Sequence, residues 1–221
     1  MLFFDLDDTL VDDSGAAAAA VRALYVAYRD RIQDSLEAFT NRWRLAGRVA
    51  FTAYLEGHVS YREQGRARVR TAFGCPLSDV EAEAIFEAYL DYYDANLRLF
   101  PDVKPLLKAL GDRPLGIITN GAPERQQAKL VRVGLQGRFD PVVTAGEVSI
   151  RKPEARLFHV ACARAGVAPA ETVHVGNNLA HDAEAARAAG LRGVWLNRNG
   201  ATSDPPFAPQ IRDLRELTRL L

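Results

Sequence analysis

The sequence predicts an α/β protein in which a parallel sheet carries helices on both faces, with an all-helical segment inserted near its start. Three observations carry that reading. From Pro101 onward, short apolar runs alternate with amphipathic helical stretches, the pattern of repeated strand–helix–strand units. Between Ser14 and Phe100 no run reads as a strand. The polar residues of the strand-bearing part gather at the carboxyl ends of the candidate strands, where open parallel sheets bind their ligands.

Taken in order, the first strand is the apolar run Leu2 to Phe4, which opens straight onto Asp5-Leu6-Asp7-Asp8-Thr9. Carboxylates packed at the end of a buried strand repel each other and resist desolvation unless a cation or hydrogen-bond donors compensate. The pattern therefore points to a metal-assisted site, with an acidic turn as the alternative. Ala16 to Ala20 reads as helix, because Ala has the best helix propensity and Val21, Leu24, Tyr25 and Tyr28 continue at helical spacing. Further helices begin near Gln33, Ser60 and Ser78. Ser60 with Glu63 and Ser78 with Glu81 fit the capping box, and Gly74 and Pro76 separate the two segments. Four more strands are expected at Leu115 to Ile118, Pro141 to Thr144, Val173 to Val175 and Val194 to Leu196. Helices are expected near Val103 to Leu110, Pro123 to Val133, Glu154 to Ala165 and Ala180 to Ala189. Asn199 to Pro209 reads as loop and Ile211 to Leu221 as a helix docked on the core. The expected division is a core of 1–13 and 99–221 and a helical segment of 14–98.

With 221 residues and 48% hydrophobic content, the chain can bury a substantial core. Lys plus Arg and Asp plus Glu balance at 28 each, with no long run of one sign, which argues against nucleic-acid polymers and anionic membranes as partners. No apolar leader is visible, and no apolar stretch reaches the roughly 18 residues of a membrane span, so a cytoplasmic protein is expected. Cys75 and Cys162 lie far apart without metal-ligand spacing and receive no role.

Four short motifs in order give the chain a resemblance. Asp5-Leu6-Asp7-Asp8-Thr9, Ile118-Thr119-Asn120-Gly121, Arg151-Lys152-Pro153, and Val175-Gly176-Asn177 with Asp182 resemble the four motifs of the haloacid dehalogenase superfamily of aspartate-nucleophile hydrolases. The resemblance implies a Rossmann-like core with a helical cap inserted after the first motif. It implies Asp5 as nucleophile, Asp7 as the group that gives and takes the proton, and Thr9 as the residue that positions Asp7. Thr119, Asn120 and Lys152 would hold the phosphoryl group. Mg²⁺ would be bound by Asp5, the Asp7 backbone carbonyl, Asn177 and Asp182. Lys152 is compositionally unexpected in a chain with four Lys and twenty-four Arg, and a compact ammonium suits a crowded phosphate site.

Asn177 departs from the superfamily pattern, where Asp is common. An amide ligates through oxygen but brings no charge, so either Asn177 serves as a neutral ligand or Asp182 carries more of the metal binding, and weaker Mg²⁺ binding is expected. Phosphonate-cleaving relatives need a cap Lys, and none occurs between Ser14 and Phe100. Dehalogenases lack the second acidic residue of the first motif, so Asp7 argues for phosphate chemistry while Asn177 leans the other way. The expected function is a Mg²⁺-dependent phosphatase of a small-molecule phosphate monoester, acting as monomer or homodimer. Thr119-Asn120-Gly121 with Gln127, Leu130, Gly134, Leu135 and Phe139 is similar to the pyrimidine nucleotidase branch and points to a nucleoside monophosphate. The alternatives are a 2-haloacid dehalogenase, a sugar phosphomutase and a catalytically weakened ligand-binding member. Arg62, Arg66 and Arg70, four residues apart, form either a face for an anionic substrate or a solvated face.

Overall fold

The computed structural model describes residues 1–207 and 209–221. The chain divides into two compact units, Met1–Asp12 with Arg98–Leu221, and Asp13–Leu97.

The second unit is helical, with α1 Asp13–Ala27, α2 Leu36–Leu55, α3 Tyr61–Phe73 and α4 Asp79–Asn96. Ser60 and Ser78 each accept the backbone N–H of the glutamate three residues on, and that glutamate accepts the serine N–H, so both capping boxes form. Helix α2 begins at Leu36 rather than near Gln33, because the Ser35 hydroxyl accepts the Ala38 N–H and sets the N-terminus there. The core is aromatic. Phe39 meets Phe73 edge-on at 5.6 Å, Trp43 lies 4.8 Å from Tyr89, and the Arg68 guanidinium sits over both of the latter rings. Arg62 pairs with Glu83 at 2.8 Å, Arg66 with Asp79 at 3.3 Å, and Arg70 with Asp79, so this arginine row is held by carboxylates of α4.

The first unit is built on a parallel sheet of β1 Leu2–Phe4, β2 Leu115–Thr119, β3 Val142–Thr144, β4 Val173–Gly176, β5 Arg192–Leu196 and β6 Gln210–Ile211. Its order is β3-β2-β1-β4-β5-β6. The helices are α5 Val103–Leu110, α6 Pro123–Arg132, α7 Ala145–Val148, α8 Ala155–Ala165 and α9 Ala185–Ala188. Strand β1 is buried on both faces, as a central parallel strand must be. Phe3 packs with Leu157, Phe158, Ala161 and Ala186 from α8 and α9, while Phe4 meets Phe139 edge-on at 6.3 Å. The Rossmann-like α/β expectation therefore holds.

The differences from expectation are local. The tail forms the sixth strand at Gln210–Ile211 and a 3₁₀ helix at Leu214–Arg219 where one longer helix was expected; of the expected loop, Ala208 lies outside the described residues. The two-residue strand forms because the Trp195 and Asn197 N–H groups, on the outer side of β5, donate to Pro209 and Ile211. The helix expected from Ala180 starts as a π-helical turn at Leu179–Glu184 before α9, capped by the Asn178 side chain, which accepts the His181 N–H.

Candidate active site

The strand order reverses between β1 and β4, because the chain builds outward on one side through β2 and β3 and then returns to the other side of β1. At such a switch point the carboxyl ends of the two strands leave a crevice. Asp5 follows β1 there, and Asn177 follows β4.

The first motif is a tight reversal. The Asp5 N–H donates to Val175 at 2.9 Å, continuing the ladder beyond β1, and the Leu10 N–H folds back onto the Leu6 carbonyl at 2.9 Å. Asp8 takes φ +57°, a left-handed conformation that Asp tolerates better than most side chains. The reversal places Thr9 inside. Its hydroxyl lies 3.2 Å from Asp5 Oδ2 and 3.3 Å from Asn177 Oδ1, and accepts the Asn177 N–H at 3.1 Å. Thr9 therefore gathers the ends of β1 and β4, and what it touches is Asp5 and Asn177 rather than Asp7.

Lys152 is buried, and its ammonium donates to Asp5 Oδ1 at 2.7 Å and to Asp182 Oδ1 at 2.5 Å. Asn120, expected to bind substrate, meets the backbone of Lys152. Its Oδ1 accepts the Lys152 N–H at 2.8 Å and its Nδ2 donates to the Lys152 carbonyl at 3.1 Å, so both ends of the amide clamp the lysine backbone. Asp182, expected as a metal ligand, is likewise engaged. Oδ1 also faces His174 Nε2 at 3.2 Å, and Oδ2 accepts the Asn178 N–H at 3.0 Å. It is thus a counter-ion of Lys152, as Asp5 is, and only a residue without a side chain fits beside it: a Cβ on Gly176 would lie 2.2 Å from the Asp182 carboxyl carbon.

Electrostatics follow burial. Desolvation is the largest influence on Asp5; against the lowering by Lys152, and with repulsion from Asp182 and Asp7 added, its carboxyl is pushed up to about 7. Burial is also the largest influence on Lys152 and Asp182 and opposes their charged forms, but their attraction to each other, together with that of Asp5 for Lys152 and of His174 for Asp182, outweighs it. The ammonium is held above its ordinary range and the Asp182 carboxyl well below its own. His174 is buried and pushed down by desolvation, hence neutral. Facing a carboxylate, Nε2 must carry its proton, and Nδ1 has no hydrogen-bond partner among the described residues.

Thr119 ends β2, and its Oγ1 accepts Gln126 Nε2 at 2.6 Å and the Gly121 N–H at 3.4 Å. Asp7 is held from α6: Lys129 Nζ lies 2.6 Å from Oδ1 and Gln126 Nε2 lies 3.0 Å from Oδ2. Sequence reasoning missed Gln126, Lys129 and His174. Lys129 carried the signal already used for Lys152, a lysine in an arginine-rich chain, and it stands three residues from Gln126 on one helix face. Asn197, also at a strand end, donates to Ala201 and Gln210, and so ties the following loop.

The family model for haloacid dehalogenase-like hydrolases matches residues 1–190. The chain belongs to this family. The expectation of a hydrolase holds with it, and the curated relatives of this haloacid dehalogenase-like hydrolase include phosphatases. It is 33% identical to phosphoserine phosphatase of Thermus thermophilus, over 98% of this chain and 97% of the relative. It is 27% identical to the pyrimidine 5'-nucleotidase YjjG of Escherichia coli, over 100% and 96% of the two chains. Among solved structures, the HAD-hydrolase YfnB of Bacillus subtilis, bound to magnesium, superposes with a TM-score of 0.79 at 23% identity, covering 100% of this chain and 97% of that one, and shares the fold. A 2-haloacid dehalogenase of Pseudomonas syringae superposes with a TM-score of 0.73 at 26% identity, covering 99% and 96%. No helix among the described residues is long and apolar enough to cross a membrane.

Proposed function

We propose that this hydrolase is a Mg²⁺-dependent phosphatase that cleaves a small-molecule phosphate monoester through an aspartyl-phosphate on Asp5, with Asp13–Leu97 as its cap. The observation that carries the reading is the setting of Asp5. It is 6% exposed, with the Lys152 ammonium on one oxygen and the Thr9 hydroxyl on the other, while Asp7 is two residues along the same turn. A nucleophile and an acid–base group so placed divide the work of phosphoryl transfer between them.

The donor set fits Mg²⁺. Asp5, Asp7 and Asp182 bring three carboxylates against the two ammonium groups of Lys152 and Lys129, leaving net negative charge before any phosphate arrives. Asp5 Oδ2 and Asn177 Oδ1 converge on the Thr9 hydroxyl, so a carboxylate and an amide oxygen stand together as the hard ligands such a cation takes. Asn177 and the Asp7 backbone carbonyl would complete the set with Asp5. When bound, the ion neutralises charge on the Asp5 carboxylate and on the phosphoryl oxygens.

The side chains do the rest. Asp5 attacks phosphorus as the bond to the leaving oxygen breaks; Asp7, in its protonated form, gives that oxygen its proton and, then ionised, takes one from the water that hydrolyses the aspartyl-phosphate. Both acceptor positions of the Thr119 hydroxyl are filled by N–H donors, so its own proton is directed outward to a phosphoryl oxygen. Lys152, fixed by Asn120 and Asp182, offsets the charge of the transferring group. The nucleotidase relative supports a nucleoside 5'-monophosphate as substrate.

A second reading, 2-haloacid dehalogenation without metal, is favoured by Asn177 and by the dehalogenase structure. Phosphate release from nucleoside monophosphates, sugar phosphates, phosphoserine and phosphoglycolate, with and without Mg²⁺, separates the two. Metal-dependent release that is lost in Asp5→Asn is the expected outcome; halide release from 2-chloropropionate in its place would overturn the phosphatase reading.

A further inference from the structure

The face of α6 that carries Gln126 and Lys129 reaches two groups of different function at once. The Gln126 amide nitrogen donates to Thr119 Oγ1 at 2.6 Å and to Asp7 Oδ2 at 3.0 Å, and Lys129 Nζ meets the other Asp7 oxygen at 2.6 Å. Both side chains are buried, whereas the Asp7 side chain is 31% exposed and would rotate if released. Gly121 makes the arrangement sterically possible. A Cβ there would lie 2.3 Å from the Gln126 amide carbon, so the second motif keeps a glycine where the amide crosses its backbone.

We infer that Gln126 and Lys129 are positioning residues for phosphoryl transfer: together they fix the Asp7 carboxylate at the angle from which it serves the leaving oxygen, while Gln126 turns the Thr119 hydroxyl toward the phosphoryl group. The inference rests on the phosphatase reading above. Neither side chain has to touch substrate. An ammonium and an amide on separate oxygens hold a carboxylate in one plane, which a single donor cannot do. The Gln126 amide also locks Thr119 and Asp7 into one register, so the group that binds the phosphoryl oxygens and the group that handles the proton shift together or not at all.

The test compares p-nitrophenyl phosphate, whose leaving group needs no proton, with an alkyl ester such as glycerol phosphate, in Mg²⁺ buffer, for the native protein, Lys129→Met, Lys129→Arg and Gln126→Leu. In Lys129→Met, kcat/KM for the alkyl ester is expected to fall roughly 100-fold, and less than about tenfold for p-nitrophenyl phosphate, because proton transfer is worth that much only to a poor leaving group. Lys129→Arg restores most of the loss. Gln126→Leu is expected to lower both substrates, the alkyl ester more, since it also releases Thr119. Equal losses on the two esters in Lys129→Met, or none on either, overturn the inference and leave the phosphatase reading standing. A native protein that releases phosphate from neither ester removes that reading and the inference with it. Crystal structures of the native protein and Lys129→Met add a readout free of turnover: an Asp7 rotamer kept in both would overturn the positioning role even if the variant is less active.

Discussion

Lys152 is held by three separate parts of the chain. Asn120 clamps its backbone from the end of β2, Asp5 and Asp182 take its ammonium, and His174 in turn faces Asp182. At this scale small changes have specific outcomes. Gly176→Ala puts a methyl 2.2 Å from the Asp182 carboxyl carbon, so Asp182 must move and Lys152 with it. A loss of about 1–3 kcal/mol in urea-measured stability is expected, together with lower turnover. Asn177→Asp adds charge beside the Asp5 carboxylate and is expected to tighten Mg²⁺ binding by roughly tenfold, about 1.4 kcal/mol. The indole of Trp195 donates to the Asn177 carbonyl at 3.0 Å, so its fluorescence offers a titration signal that does not depend on activity. Unchanged or weaker binding in the variant would remove Asn177 from the ligand set. The roles of Asn120 and Asp182 were not legible in the sequence because motif position says that a side chain is near the site, not which way it points. Lys152, which both of them hold, lies 32 and 30 residues away from them in the chain.

Helices α2, α3 and α4 begin where a serine hydroxyl satisfies their ends. Ser60→Ala and Ser78→Ala each remove a hydroxyl acceptor from a completed capping box, with about 1 kcal/mol of helix stability expected to go with it, read as a lower midpoint in urea. Glu63 and Glu81 are held below the ordinary glutamate range, Glu63 first by the Ser60 hydroxyl and Glu81 first by the Ser78 N–H. A carboxyl lowered by folding stabilises the fold above its unfolded value and stops doing so as pH falls through the folded one. The helical unit is therefore expected to lose stability on acidification below about pH 4.5, the unfolded glutamate range, and Glu63→Gln is expected to flatten that limb of a urea-midpoint series. These ends were readable because a capping box spans four residues. Strand β6 was not: two residues carry no period, and they are strand only because β5 presents N–H groups to them.

For the whole sheet unit, Asp102 joins distant segments. It is buried, accepts both guanidinium nitrogens of Arg198 at 2.7 and 3.0 Å, and accepts the Leu214 N–H at 2.8 Å. Arg198 also donates to the Thr9 carbonyl at 2.9 Å, which connects the tail to the back of the first-motif turn. Asp102→Ala is expected to cost about 2 kcal/mol, the range of hydrogen bonds to charged groups, and to loosen the turn that carries Asp5. A denaturant titration reads the first effect, and a higher Mg²⁺ requirement for phosphate release reads the second. The chain leaves and rejoins this unit side by side: Val11 bridges Leu99, and the Asp12 N–H donates to Arg98 at 2.9 Å. An insertion between two hydrogen-bonded neighbours leaves the sheet order undisturbed.

By itself the sequence determined the α/β class, five of the six strands, the helical segment and the four motif sites, because hydrophobic period, capping chemistry and polar residues at strand ends are local properties of the chain. Only the tertiary structure decided which side chains meet. It alone brought Gln126 and Lys129 from α6 onto Asp7, turned Asn120 and Asp182 onto Lys152, and joined Asp5 to Asn177 through the Thr9 hydroxyl. Those contacts span up to 168 residues and arise where the sheet order reverses between β1 and β4. That reversal belongs to the packing of six strands, and no single stretch of sequence encodes it.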